Sequence, residues 1–507
     1  MPGSALLLMV LVACAPEPRP AAPIVRDTAA AADSGATRDS GHPPAAGRVL
    51  VAEPVEACAS PVPVERVDVT RAMGLDAERP PTRQGPDGTG MLAADLDGDG
   101  DTDLVQSFEG WDRMRVWWRE GEAFIPVDVE GTEALHLIGT DAGSPFLAAG
   151  ATLAWMDPTL ERGEVLFDAS PGFVRDAARV EGIGVFVALA SRTDRDADRM
   201  DRLVGGPALG PVAGHEAFDL LQLDVDGDGT RELLVINDNK GDPSRRHALW
   251  RVEDGALVEE AEARGLGWAM EGMGADAGDI NGDGFLDVFI TGAGRNLLLL
   301  NDGEGRFYDA TESWAANPMT AATEMGWGGV FLDDDNDGDL DLVLAQGDFG
   351  GNPPFAHGPQ PVTLMRNTGG RLDDRTVLET GRWRTVLPLE LNGDGVLDLV
   401  LVGHDGMLRA HASTGCSPGS WVAVDAPDGS LVRVTAGSRT WTAQASLDAG
   451  YGGARPAQAW IGIGTATVVD RLTVDLPGEA GRLVLEGPLE PRRRVRVASE
   501  RDPLEGR

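Results

Sequence analysis

Five acids stand at alternate positions in Asp95-Leu96-Asp97-Gly98-Asp99-Gly100-Asp101-Thr102-Asp103, just before the apolar pair Leu104-Val105. Carboxylates packed this closely repel one another unless a hard cation lies among them. Ca²⁺ takes roughly six to eight oxygens, and alternate side chains of a tight loop can all turn inward to supply them. Gly98 and Gly100 allow the positive φ that such a curl requires. The chemistry on offer is therefore cation coordination rather than acid–base catalysis.

The pattern recurs. Asp224, Asp226, Asp228, Thr230 and Glu232 precede Leu233-Leu234-Val235-Ile236. Asp279, Asn281, Asp283, Phe285 and Asp287 precede Val288-Phe289-Ile290. Asp333, Asp335, Asp337, Asp339 and Asp341 precede Leu342-Val343-Leu344. Glu390, Asn392, Asp394, Val396 and Asp398 precede Leu399-Val400-Leu401-Val402. The loops at 95 and 333 are the most complete, and Glu390 opens its loop with a longer arm. An EF-hand needs a glutamate at position 12 and flanking helices. Position 12 here is Gln106, Val235, Ile290, Leu344 and Leu401, and the flanks read as strands, so that motif is excluded.

The elements that must position these loops follow from the period, about 55 residues from 224 to 390, which signals a solenoid, propeller or array. Each loop follows a small-and-apolar run such as Gly326-Trp327-Gly328-Gly329-Val330-Phe331-Leu332. Each is followed by a strand, a longer loop, another strand, a glycine turn and a last strand, as at Leu297–Leu300, Gly303, Gly305 and Phe307. Four strands per unit make a propeller blade. Two worn copies are expected between 95 and 224. One is Asp157, Thr159, Glu161 and Gly163 before Leu166-Phe167; the other is Asp194, Asp196 and Asp198 before Leu203-Val204. Counting them gives an all-β, seven-bladed propeller over 60–415, with six blades as the alternative. The worn copies are expected to hold no ion.

The last unit lacks a fourth strand, and Val64-Glu65-Arg66-Val67-Asp68-Val69-Thr70 offers one. Antiparallel pairing there would bring Cys58 beside Cys416, so a disulfide in an oxidising compartment is expected. Such a bond closes a long loop and on the chain-entropy model contributes roughly 4–5 kcal/mol.

The D-x-D-G-D-G-x-x-D loops entering apolar strands resemble FG-GAP/VCBS repeats, the blades of integrin α-chain propellers and of bacterial surface proteins. Met273-Gly274 and Met325-Gly326 before the loops, and Gly450-Tyr451, Trp460-Ile461-Gly462-Ile463-Gly464 and Val468-Val469-Asp470-Arg471-Leu472-Thr473-Val474 near the end, resemble the ASPIC/UnbV proteins, of which cartilage acidic protein is an animal member. The segment 421–434 is shorter than that family's, and Leu476-Pro477-Gly478 stands where a Trp-Pro-Ser-Gly run is common. The resemblance implies one Ca²⁺ per loop, up to five ions, between the first two strands of a blade. It implies side-chain oxygens at positions 1, 3, 5 and 9 and a backbone carbonyl at position 7, which lets Phe285 and Val396 serve. It also implies a small β-sandwich-like module at 416–500, followed by a tail at 501–507.

At the amino terminus an apolar run, Ala5 to Ala13, is too short to span a bilayer and fits a secretory signal. Its end, Leu11-Val12-Ala13-Cys14, resembles a bacterial lipobox, although Met1-Pro2-Gly3-Ser4 carries no Lys or Arg. A lipidated Cys14 would place the chain in the cell envelope, anchored at the outer membrane or surface, with plain secretion as the alternative. Residues 15–59 are rich in Ala and Pro and are expected to be a disordered tether. Net charge is −39 and the pI about 4.4, which disfavours nucleic acid and anionic lipid as partners. Among the three cysteines no CxxC or Cys/His cluster occurs, so structural zinc is disfavoured. No HExxH, G-x-S-x-G or P-loop stands in context, and no catalytic residue is assigned. The expected function is binding to an extracellular protein or glycan. A polysaccharide-active enzyme and a structural envelope protein are the alternatives.

Overall fold

The structure is a computed structural model. It describes residues 45–499 apart from 46, 56–63, 79–89, 109–112, 131–135, 140–145, 151, 157–161, 169–172, 182, 191–201, 205–215, 349–357, 416, 418 and 479–480. Cys14, Cys58 and Cys416 lie outside the described residues.

Almost every element is a strand; the one helix among the described residues is the single turn Ala261–Arg264. Antiparallel sheets succeed one another along the chain, each a meander of consecutive strands, spanning 91–130, 136–168, 173–204, 216–259, 272–309, 326–381 and 383–413. Each is stacked on the next through its own apolar seam. Leu221, Leu234 and Ile236 of the 216–259 sheet meet Val288, Ile290 and Leu299 of the next. Phe289 and Leu298 meet Phe331, Leu342 and Leu344. Val330 and Val343 meet Val386, Leu399 and Leu401. The last sheet returns to the first, with Leu387, Val400 and Val402 against Met91, Leu104 and Trp117. Sheets stacked face to face in such a succession are a β-propeller.

This stacking explains why the second strands read as unbroken apolar runs rather than as alternation. Glu232–Asp238, Asp287–Gly292, Asp341–Gln346 and Asp398–Gly403 are covered on both faces. Outermost strands such as Asp374–Gly381 face solvent and are polar.

The expected closing strand is present as Arg66–Asp68, which pairs antiparallel with Leu408–Ser413, Arg66 opposite Ser413. Thr414 N–H donates to the Glu65 carbonyl at 2.8 Å, extending the contact beyond the strand pair.

Three expectations are corrected. The worn copies at 157 and 194 fall outside the described residues, but their flanks place them. Residues 157–161 join the third strand of their sheet, Thr152–Met156, to the fourth, Arg162–Asp168. Residues 191–201 join the second strand Gly184–Ala190 to the third, Arg202–Val204. Neither segment is the connection between the first and second strands of its sheet. The corresponding sheets begin instead at His136 and Phe173. The tether is also shorter than 15–59. Arg48–Pro54 is a strand paired along its full length with Arg493–Ser499, burying Leu50 and Val51. Its Val-Leu-Val core is apolar enough to join a sheet, a signal outweighed in the sequence by the Ala/Pro-rich stretch before it.

Beyond the propeller, Ser420–Asp425 to Arg493–Ser499 form two sheets around Val422, Val434, Ile461, Leu472 and Val495. One sheet has the order 431–436 beside 439–444 and 469–475, then 482–489; the other joins 48–54, 493–499, 420–425 and 453–464. The long strand Gly453–Gly464 connects the two bodies: Met91 and Leu92 pair parallel with Gly453 and Ala454.

Candidate metal centres

All five acidic loops join the first strand of a sheet to its second, and they share one hydrogen-bond scheme. The position 1 carboxylate curls over the turn. Asp224 Oδ1 accepts from Gly227 N–H at 2.8 Å and its Oδ2 from Gly229 N–H at 2.9 Å. Asp279 accepts from Asp283 and Gly284 N–H, and Asp333 from Asp337 and Gly338 N–H. The position 9 carboxylate ties the loop to the sheet. Asp287 takes Ile280 N–H at 3.1 Å and, from the third strand, Asn301 N–H at 2.8 Å. Asp103, Asp341 and Asp398 do the same with Leu96 and Arg119, Asp334 and Asn367, Leu391 and Ser413. Position 4 needs a left-handed backbone; where the 333 loop lacks the glycine, Asn336 supplies it at φ 58°.

Three loops draw carboxylates together to within 4.8 Å: Asp95, Asp97 and Asp99; Asp224, Asp226 and Asp228; and Asp333, Asp335 and Asp341. At 224 two sealed oxygens, Asp226 Oδ1 and Glu232 Oε1, have no hydrogen-bond partner. An uncompensated buried carboxylate oxygen is costly, and a hard cation would satisfy both. Burial, reinforced by like-charged neighbours, pushes Asp224 up to about 6 and Glu232 to about 8. It pushes Asp279 to about 7 and Asp287 to about 8, and it lifts Asp333 and Asp341 well above the carboxylate range. The donor set fits Ca²⁺, with Thr230, Phe285, Asp101, Asp339 and Val396 at the carbonyl position.

In the loops at 279 and 390, as at Asp226 Oδ2, which accepts from Arg264 at 2.9 Å, protein donors already reach a loop carboxylate. Asn281 donates to Asp283 Oδ2 at 2.8 Å. At 390, Asp394 Oδ2 accepts from Asn392 at 3.0 Å and from the Ser413 hydroxyl, so protein donors already occupy it. Glu390 reaches Gly393 and Asp394 N–H with one oxygen, so its longer arm is accommodated. Asp334, inside the Asp333-Asp334-Asp335 run, is no ligand. It is fully buried and clamped by Arg66 at 2.6 Å and by Arg366 at 3.0 Å, latching the 383–413 sheet to the 326–381 sheet.

The sequence did not foretell that the carboxy-terminal module sits on these loops. Trp441 Nε1 and Arg439 donate to the Gly338 carbonyl at 2.9 and 2.7 Å, Trp460 Nε1 donates to Asn336 Oδ1, and Arg231 pairs with Asp428 at 2.6 Å. The module thus covers Asp333 while the loop at 95 stays exposed. Gly462 allows the closest approach: a Cβ there would lie 1.8 Å from Asp333 Oδ2 and 2.8 Å from the Asn336 backbone. Gly462→Ala is expected to destabilise the chain by about 1–3 kcal/mol through overpacking, read from urea unfolding. Ala substituted at Gly437, where nothing lies within 4 Å but φ is positive, is the comparison for strain alone.

Also unforeseen is a chain of buried aspartates linking first strands. Asp176 accepts from Leu220 N–H at 2.9 Å, Asp219 from Ala275 N–H at 2.7 Å, and Asp276 from Phe331 N–H at 2.7 Å. A lone acid inside an apolar run, as in Phe218-Asp219-Leu220, was the available signal. Where those first strands converge, Tyr451 of the module is fully buried among Phe218, Met273, Met325 and Trp327.

The FG-GAP-like repeat family matches residues 224–290 and 279–344, the stretch that carries three of the loops. No curated protein matches the chain. Among solved structures it is similar to BBS1N in complex with ARL6DN, at 12% identity and TM-score 0.41, covering 69% of this chain and 97% of that one. It is similar also to YCF48 bound to D1 peptide, at 10% identity and TM-score 0.39, covering 71% and 97%. The sheet order and seams, rather than these partial overlaps, carry the propeller architecture.

Proposed function

We propose that this chain is a calcium-stabilised, seven-bladed propeller lipoprotein that binds a protein or glycan partner at the cell surface. The observation supporting it best is the convergence of three carboxylates within 4.8 Å in three separate loops, with sealed, unpartnered oxygens in one of them. The sheet seams run from 91–130 through to 383–413 and back, which favours seven blades over six. The carboxy-terminal module is of the ASPIC/UnbV type in this reading. Calcium in the loops at 224 and 333 stiffens its seat as well as the blade turns. Cys14 carries lipid, and Cys58 and Cys416 form a disulfide that locks the last blade.

Cys14→Ser is expected to move the protein from the membrane fraction to the soluble fraction of the envelope; continued sedimentation with membranes would remove the anchor. The soluble full-length Cys14→Ser chain is the right reagent for a glycan and protein array, because truncation at 59 would delete the strand Arg48–Pro54. Signals lost in EGTA and regained in Ca²⁺ support a calcium-dependent binder. An array without any signal disfavours glycans and leaves a purely structural role as the better reading.

A further inference from the structure

A cavity of about 1090 Å³ lies between the 136–168, 173–204 and 216–259 sheets and the module's segments around 428, 446–454 and 477. Its wall is apolar, with Trp155, Ile183 and Val185 among the lining residues. At one end Asp176, Asp219 and Asp448 enter it together. Asp176 and Asp219 are each held by backbone N–H groups, which carry no full charge to balance theirs. Asp448 is open to the cavity on one side, yet its Oδ2 is sealed from solvent and has no hydrogen-bond partner. Asp276 lies behind them, and one guanidinium, Arg455, faces this group. The cavity's other charges, Arg179, Glu181 and the Arg231–Asp428 pair, complete its lining.

An apolar chamber with a few convergent polar groups is the usual form of a small-molecule site. The carboxylates do not reach the mutual 4.8 Å approach found in the three loops. That spacing suits a cation with several N–H donors better than a metal. We propose that the cavity binds a small organic molecule with a protonated amine on an apolar body, its ammonium on Asp448 between Asp176 and Asp219. No carboxylate of the acidic loops lines the cavity. Burial pushes Asp219 up to about 7 and lifts Asp176 and Asp448 well above the carboxylate range. An ammonium displaces those protons, so binding strengthens as pH rises through about 7, the Asp219 value, where an alkylamine stays charged.

The test uses the full-length Cys14→Ser chain in Ca²⁺ buffer, with phenethylamine and its neutral counterpart phenethyl alcohol as probes in calorimetric titration. The amine is expected to bind about tenfold or more tighter, as charged hydrogen bonds are the stronger. Asp448→Asn should remove that preference and leave alcohol binding unchanged. Ile183→Trp, which adds bulk to the apolar wall, should weaken binding of both. Equal affinity for the two probes, a preference that survives Asp448→Asn, or no binding of either overturns the proposal. So does displacement of the amine by added Ca²⁺ in an Asp448-dependent manner, which would make the site a metal site.

Discussion

Transfer of the chain into EGTA is expected to lower its melting temperature by on the order of 10 °C, and excess Ca²⁺ to restore it. An ion bound only by the folded state stabilises by roughly 2.7 kcal/mol per site at about 100 times its dissociation constant. The loops at 95, 224 and 333 each present three converging carboxylates. The size of the effect depends on pH, with a definite sign. Without an ion, burial holds Asp224 near 6, Asp279 and Asp398 near 7, and Asp287 and Glu232 near 8. A carboxyl whose folded pKa is raised stabilises the fold below its unfolded value, about pH 4, and that contribution is lost as pH rises through about 6 to 8. The ion-free chain therefore weakens from about pH 5 to about pH 8. Calcium binds the ionised carboxylates, so its stabilisation grows over the same window. The gap between the EGTA and Ca²⁺ melting curves should be wider at about pH 8 than at about pH 5.5. Equal curves at both values would remove calcium from the account.

The second large effect belongs to Tyr451. Its ring lies 4.9 Å from that of Trp327 and 6.2 Å from that of Phe218, and its backbone carbonyl accepts from the Thr385 hydroxyl at 2.7 Å. Gly274 makes room for it, since a Cβ there would lie 3.0 Å from that of Tyr451. Removing a buried aromatic ring costs about 3–5 kcal/mol, with a cavity left behind. Tyr451→Ala should lower unfolding stability by that amount. Tyr308→Ala, at a half-exposed outer-strand position, should stay within about 0.5 kcal/mol. Similar losses for the two variants would show that Tyr451 does not pin the module to the propeller.

Much of this was legible in the chain because it is local. Asp/Gly alternation writes a loop within nine residues, and a run such as Leu342-Val343-Leu344 writes the strand after it. The closing strand could be found because Arg66–Asp68 fills a vacancy that the repeat itself defines. What stayed hidden is non-local. Acids near 157 and 194 mimic the loop spacing, and only pairing partners reveal that they join later strands. The role of Asp334 depends on Arg66, far away in sequence, whose guanidinium donates to it. The seat of the module on the loops depends on Trp441, Trp460 and Gly462, whose types suit any β core. The short connection from Val180 to Gly184, where its sheet's acidic loop should be, carries no motif to recognise.

The two earliest strands have a consequence for how the molecule is made. Arg48–Pro54 waits for Arg493–Ser499, and Arg66–Asp68 waits for Leu408–Ser413, so the earliest strands are completed by some of the last. Contacts of such sequence separation form slowly, since long loops must close first. The ring can close only after residue 413 has been made, and the strand Arg48–Pro54 finds its partner only after residue 499. A chain made from its amino end holds both strands unpaired until their partners follow, and full resistance to proteases is expected only once Arg493–Ser499 is in place.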